Sequence, residues 1–393
     1  MSAAPAPDAR VVKALDRARE LGEEGLQVAA YLGGELIVDA WAGTADRETG
    51  RPVDGSTLFN VFSVTKAITA TALHIQAERA LVDYGAPVSR YWPEFARNGK
   101  EAVTVRDVLS HRAGIPWMPE DVTPERQADW AWMTRAIEDM PPSFEPGTTN
   151  AYHALIWGWI VGEIVRRADP GNRPIEVVIR REILEPLGIT DLFIGLPEAE
   201  DERVARLIGG DPAPDAPETF LRGMPRQVFP GATVYNTELA RRTINPGAGA
   251  IGTARSFARF FAMLAGHGEL DGVRLLSPGR VAGFTEPRTD ADAPDIYLGG
   301  VAQVSAFGYW LGGSSPTANP AVGSNPRILH HPGAGGSISW AELDTGLAVS
   351  ICHNRMHDGP IDPSEHPFVP IAEAVRAVAA ERLDGEHLDG GRG

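Results

Sequence analysis

The chain has 393 residues, 43% hydrophobic and 22% charged, a balance that fits a globular protein with a large core in one composite domain or two lobes. Its 36 basic residues are outweighed by 52 acidic ones, and the net charge of −16 argues against general nucleic-acid binding, because such a surface repels a phosphate backbone. The single cysteine, Cys352, excludes an internal disulfide framework and sits in an apolar run starting at Leu347, where it reads as a small buried hydrophobe.

The N-terminus, Met1-Ser-Ala-Ala-Pro-Ala-Pro, has no basic start followed by an apolar stretch. The longest apolar run, Ala154 to Val165, falls short of the roughly 20 residues that span a bilayer, so a cytoplasmic protein without a membrane partner is expected. Val11 to Leu21 has helical periodicity. Val28–Leu32 and Leu36–Ala42 read as strands joined by a Gly33-Gly34 turn. The short apolar run Leu58–Phe62 leads into a long predicted helix, Val64–Leu81, with no internal Gly or Pro. From about 85 to 250 helices and loops dominate: a short helix from Val105, apolar helices over Ala154–Arg167 and Pro174–Ile183, and a Pro- and Asp-rich loop over Glu198–Phe229. Ala254–Leu264 is amphipathic, and its Phe257, Phe260 and Phe261 are expected in the core. Strands return at Phe307–Leu311, Ser337–Glu342 and Leu347–Cys352, and Ile371–Leu383 closes as a helix before a polar, Gly-rich tail that reads as mobile. The expected fold class is α+β: an antiparallel sheet built from both chain ends and flanked by helices, with a mainly helical lobe inserted. In residue numbers this gives a sheet lobe of 1–84 plus 251–393 and a helical lobe of 85–250, with the active site between them.

Ser63-Val-Thr-Lys66 is an S-x-x-K element at the start of the long helix. Residues three apart share a helical face, so hydroxyl and amine can meet. Free backbone N–H groups and the positive dipole end favour an alkoxide and the oxyanion of acyl transfer, and the same field, with burial, lowers a lysine pKa. Only three of the basic residues are Lys (Lys13, Lys66 and Lys100), the rest being Arg, which cannot serve as a base. The plainer reading makes Ser63 an N-cap and Lys66 a solvated residue; the apolar flanks Phe59, Val61, Phe62, Ile68 and Leu73 argue against it.

This element resembles the nucleophile motif of penicillin-recognising serine enzymes. The nearer likeness is to the class C β-lactamase-like esterases (family VIII carboxylesterases) and the D-alanyl-D-alanine carboxypeptidases. It runs through nearly the whole chain: Asn60-Val-Phe-Ser-Val-Thr-Lys66, Val108-Leu-Ser-His-Arg-Ala-Gly114, Leu184-Glu-Pro-Leu-Gly-Ile189 and Gly252-Thr-Ala-Arg-Ser-Phe-Ala-Arg259 are similar to family landmarks. The resemblance implies a β-lactamase/transpeptidase-like fold and an acyl-enzyme on Ser63. Tyr152-His153-Ala154 stands at the Tyr-x-Asn-like triplet, making Tyr152 a proton shuttle with a lowered pKa and His153 its packing or hydrogen-bonding neighbour and a candidate substrate contact. His331-Pro-Gly333 stands at the Lys-Thr-Gly-like strand, which implies substrate contacts by His331 and Gly333 and an oxyanion hole from the N–H groups of Ser63 and Ala334. Two departures, Ala154 for the amide and His331 for the Lys, weaken the case for an efficient β-lactamase. Trp117, Trp130, Trp132, Phe144, Trp157, Trp310 and Trp340 are aromatic candidates for an acyl or aryl pocket, each also able to serve as core.

The expected activity is cleavage of small carboxylic esters without a cofactor. Rivals are an acyltransferase using the same residues, a D-amino-acid peptidase or weak β-lactamase, and a non-catalytic binding protein that keeps the fold. Gly247-Ala-Gly-Ala-Ile-Gly252 matches a dinucleotide fingerprint but follows no β-like run. His353 and His357 could share a metal only on a helix, and Pro360 and Pro363 argue for a loop with no third ligand, so no metal is expected. Oligomeric state is not legible.

Overall fold

The apolar runs at the two chain ends become one sheet. The computed structural model describes residues 6–315, 318–357, 359 and 361–390. Helix α1 (Ala9–Glu20) is capped by the Asp8 carboxylate, which accepts from the Arg10 N–H. It precedes the hairpin of β1 (Gly25–Leu32) and β2 (Glu35–Asp46). Gly33 and Gly34 form the turn with φ of 56° and 90°, the left-handed pair that matches strand twist in a two-residue hairpin. After β3 (Arg51–Pro52) and β4 (Phe59–Asn60) the chain leaves, contributes β5 (Leu192–Ile194) and β6 (Ala250–Gly252), and returns with β7 (Trp310–Leu311), β8 (Ile328–Pro332), β9 (Ile338–Glu342) and β10 (Leu347–His353). The main sheet has the order β3-β2-β1-β10-β9-β8-β7, with antiparallel pairing throughout. N-terminal β1 thus pairs with C-terminal β10, as expected of a sheet drawn from both ends.

Every residue of β1 is buried, because helices cover both sheet faces. Alternation sorts the side chains. Leu26, Val28 and Ala30 pack with α1 and the last helix, whereas Ala29 and Tyr31 face the opposite layer. That layer contains α2 (Thr65–Glu78), α3 (Val105–Leu109), α4 (Trp130–Asp139), α5 (Trp157–Ala168) and α6 (Ala254–Ala265). Phe257, Phe260 and Phe261 of α6 are fully buried, as their spacing predicts. Cys352, on β10, is buried, and burial pushes its thiol up to about 12, which leaves it inert.

The strand expected over Phe307–Leu311 shortens to Trp310–Leu311, the expected loop Glu198–Phe229 contains a helix over Glu218–Gly223, and two further elements change. The predicted helix over Val64–Leu81 begins one residue later and ends at Glu78, because Phe62–Val64 form a separate tight turn. The last helix, α7 (Phe368–Gly390), continues past Asp384, where the sequence reads as a mobile tail; 391–393 lie outside the described residues. No described helix is long and apolar enough to cross a membrane.

A short sheet, β4-β6-β5, positions the site. Strand β4 delivers the chain to the turn before α2, and β6 pairs with it through Phe59↔Gly252 and Asn60↔Ile251. The helix α2 is buried from Thr65 to Ala77, so its polar groups need partners, and most have them: Thr71 hydroxyl to Tyr309 Oη at 2.8 Å, His74 to Tyr84 Oη and to the Phe307 carbonyl, and Gln76 Nε2 to the Val165 carbonyl.

Candidate active site

Ser63 lies in the turn Phe62–Val64, ahead of α2. Phe62 is held at φ 47°, a sparsely populated conformation for an aromatic residue, which turns the chain sharply before the serine. Thr65 staples the turn: its hydroxyl donates to the Phe62 carbonyl at 2.5 Å and accepts from the Ala250 N–H of β6 at 2.9 Å. Ser63 caps nothing, since no side chain caps α2, so the plain N-cap reading does not hold.

Lys66 is fully buried one helical turn on. Its Nζ is 3.0 Å from Ser63 Oγ and donates to the carbonyls of Ala154 at 2.7 Å and Gly247 at 2.9 Å. Burial pulls its pKa well below the usual lysine range. The Gly247 carbonyl belongs to the Gly-rich segment that resembles a dinucleotide fingerprint; here it orients the lysine. The close approach depends on Gly158, where a Cβ would come within 2.1 Å of the Gly247 nitrogen.

Tyr152 stands over the pair, with Lys66 Nζ 5.1 Å from its ring centroid. Burial pushes its phenol above the ordinary tyrosine range, outweighing the opposing pull of a hydrogen bond with Ser63. The expected lowering is therefore reversed. The phenol is thus held in its protonated form. The segment before Tyr152 is clamped by residues that sequence reasoning misses. Asp295 Oδ1 accepts from the backbone N–H groups of Tyr152, Tyr297 and Leu298, and its other oxygen pairs with Arg288 at 3.1 Å, both side chains fully buried. His111 accepts at Nδ1 from the His153 N–H. An isolated Asp in a Pro- and Asp-rich stretch carries no sequence signal for this role.

On the facing strand, β8 ends at Pro332 and the chain turns through Gly333. A Cβ on Gly333 would meet the Val61 carbonyl at 2.3 Å, so glycine permits this strand end to lie against the nucleophile turn. Among the described residues, neither the Ser63 nor the Ala334 N–H donates to a protein acceptor. His331 is buried; its Nδ1–H donates to the Pro332 carbonyl, and its Nε2 has no partner among the described residues. Burial, then the neighbouring Lys66, holds its pKa well below the usual histidine range, so the ring is neutral.

Trp117, Phe144, Tyr152 and Trp310 gather in one apolar cluster with Tyr297 and Phe220, two residues the sequence does not single out. The indole N–H groups of Trp117 and Trp310 are buried without a partner among the described residues. A cavity of about 1020 Å³ opens beside this cluster, lined by Phe220, Met224, Phe229, Tyr297, Ala334 and Gly335. Two expected contact residues lie elsewhere. Trp340 points to the opposite sheet face, under the Arg376 guanidinium of α7 and bonded to Glu342, because strand alternation turns it away from the site. His153 is fully buried against His111, its Nδ1 on the Ala151 carbonyl, and does not line the cavity. Trp130 and Trp157 serve the core, donating to Glu163 and to the Val108 carbonyl, and Trp132 packs half-buried against it beside Arg126.

The family model described as Beta-lactamase matches residues 10–373. The chain is 35% identical over 372 residues to the esterase/beta-lactamase LipL of Mycobacterium tuberculosis, covering 91% of this chain and 83% of that protein. It is 29% identical over 366 residues to the esterase EstB of Burkholderia gladioli, covering 84% and 86%. A crystal structure of a family VIII carboxylesterase superposes with a TM-score of 0.84 at 31% identity, covering 96% of this chain and all of that one. With the match extending over the nucleophile turn, the tyrosine segment and the Gly-rich strand end, the chain belongs to the β-lactamase family of serine hydrolases.

Proposed function

We propose that the protein is a carboxylesterase that cleaves small esters with an apolar acyl or aryl group through an acyl-enzyme on Ser63. The observation that carries this reading is the 3.0 Å contact between Ser63 Oγ and a fully buried Lys66 amine whose pKa is strongly depressed. The neutral amine takes the Ser63 proton as Oγ attacks the ester carbonyl. The N–H groups of Ser63 and Ala334 receive the oxyanion. The protonated Lys66 and the Tyr152 phenol then return a proton to the departing alkoxide, and water hydrolyses the acyl-enzyme by the reverse route. The sheet lobe (1–84 and 251–393) would supply Ser63 and His331, and the helical lobe (85–250) Tyr152.

Esters are favoured over β-lactams and peptides on two counts. Neutral His331 offers no charge to a substrate carboxylate, and Ala154 has no amide to meet an acylamido group. Loss of a hydrogen bond to a charged group costs about 1.5–3 kcal/mol, roughly a 10- to 100-fold handicap for such substrates. The test is turnover of p-nitrophenyl esters by Ser63→Ala: activity falls to background while the circular dichroism spectrum is unchanged, and normal turnover in that variant would sink the reading.

A further inference from the structure

Two histidines, His353 at the end of β10 and His357 in the segment that follows it, meet a third group that comes from the other end of the chain. Glu23, in the turn between α1 and β1, is buried beneath them. Its Oε2 lies 2.9 Å from His353 Nδ1 and its Oε1 2.5 Å from His357 Nε2. The three donor atoms all fall within 4.8 Å of one another. In a tetrahedral zinc site with bonds of about 2.0–2.1 Å the donors stand roughly 3.3 Å apart, so a small rotation of the carboxylate would seat an ion between them. Two imidazoles and one carboxylate, with no thiolate, form a donor set suited to zinc and its neighbours in the first transition row.

The surroundings fit an ion. A cavity of about 540 Å³ reaches Glu23 and His357 from solvent, which gives an entry path and room for water on the open side. Glu20 and Glu365 also line it; the Arg355 guanidinium, the basic group in that lining, is engaged by the Gly22 carbonyl. Both histidines are fixed by the turn that follows β8. The His357 N–H donates to the Gly335 carbonyl at 2.8 Å, and the His353 N–H to Ser337 Oγ at 3.3 Å. A Cβ on Gly336 would stand 2.8 Å from His357 Nδ1 and 2.9 Å from the His353 ring, so the imidazoles rest directly on the turn that carries Ala334. Phe368 closes the far side, its ring 5.0 Å from that of His353.

We propose that Glu23, His353 and His357 bind one divalent transition-metal ion, of which zinc is the best match, and that this ion ties the N-terminal turn to the strand end supporting the oxyanion N–H of Ala334. The ion is structural. It lies on the far side of the turn from Ser63 and takes no part in the chemistry proposed there, so the two proposals stand or fall separately.

The full-length protein, stripped with a chelator and dialysed, is titrated with Zn²⁺ by calorimetry and with Co²⁺ by visible absorption. One equivalent binds per chain, Co²⁺ develops the intense visible bands of a low-coordinate site, and a hundredfold excess of Zn²⁺ over its Kd raises Tm by about 3 °C. His357→Gln, at the cavity edge, weakens binding by at least about tenfold, since even supporting groups of metal ligands are worth 10–100-fold. At the same Zn²⁺ concentration it also cuts the Tm shift to about half or less, while Ser63→Ala binds as the parent does. Glu23→Gln serves as a second variant, its fold checked first without metal. Absence of saturable binding, or unchanged binding in His357→Gln, overturns the proposal.

Discussion

Lys66 sits where an ammonium ion is costly: it is fully buried, and its three partners are two backbone carbonyls and the nucleophile's hydroxyl. That cost favours the free amine, the form the proposed chemistry uses as its base. The sign follows from the direction of the shift. On the proposed mechanism, ester hydrolysis fails as the pH drops through the depressed Lys66 pKa, where the amine takes up a proton and can no longer accept one from Ser63. Lys66→Ala lowers kcat by about 10²–10⁴-fold and removes this acid limb from the pH profile of kcat/KM; an acid limb unchanged in the variant would assign the base elsewhere. Ser63 and Lys66 are legible in the sequence because their spacing encodes their contact through helix geometry. Tyr152 is legible only by resemblance, and its electrostatics are not, since the reversal of its shift depends on burial by Trp310, Tyr297 and His111 from distant segments. Asp295 is silent in sequence for the same reason: it accepts the Tyr152 backbone N–H from 143 residues away.

At the scale of elements, the site depends on how closely the end of β8 approaches the turn before α2. Gly333 marks the closest point, with the Val61 carbonyl where a Cβ would go. Gly333→Ala must push the strand end away and with it the Ala334 N–H. Loss of one oxyanion donor costs about 10²–10³ in kcat, and the variant is expected to lose activity in that range with KM little changed and its fold intact. Steady-state kinetics check this, and parent-like kcat would contradict the placement of Ala334. The helices and strands themselves are well foreshadowed, since α6 shows its Phe stripe and the β1–β2 hairpin its Gly-Gly turn. Trp340 shows the limit. A strand's period of two says that alternate residues share a face, but which face meets the pocket is set by the register of β9 against β8 and β10. The pairing of Glu23 with His353 and His357 is equally invisible, because it needs β1 and β10 to be neighbours.

For the whole molecule, the buried histidines set the response to acid. Burial holds His74 at about 3, His153 and His330 at about 4, and His111 and His331 well below their ordinary value of 6.5. Above pH 6.5 these groups are neutral in both states and contribute nothing. Below it the unfolded chain takes up protons that the native state refuses, so stability falls as pH falls until each native pKa is reached. Each group costs up to about 1.4 kcal/mol per pH unit in that window. Urea denaturation midpoints should therefore drop steeply between pH 6.5 and 5, before most carboxylates titrate, and His74→Phe should flatten the slope; a pH-independent midpoint there would contradict the burial. The central claim is that Ser63 carries the acyl group. Intact-mass measurement after exposure to a fluorophosphonate probe tests it most directly: a single adduct is predicted, mapping to Ser63 and absent from Ser63→Ala, whereas an unlabelled protein that still hydrolyses esters, or an adduct that persists in the variant, would contradict it.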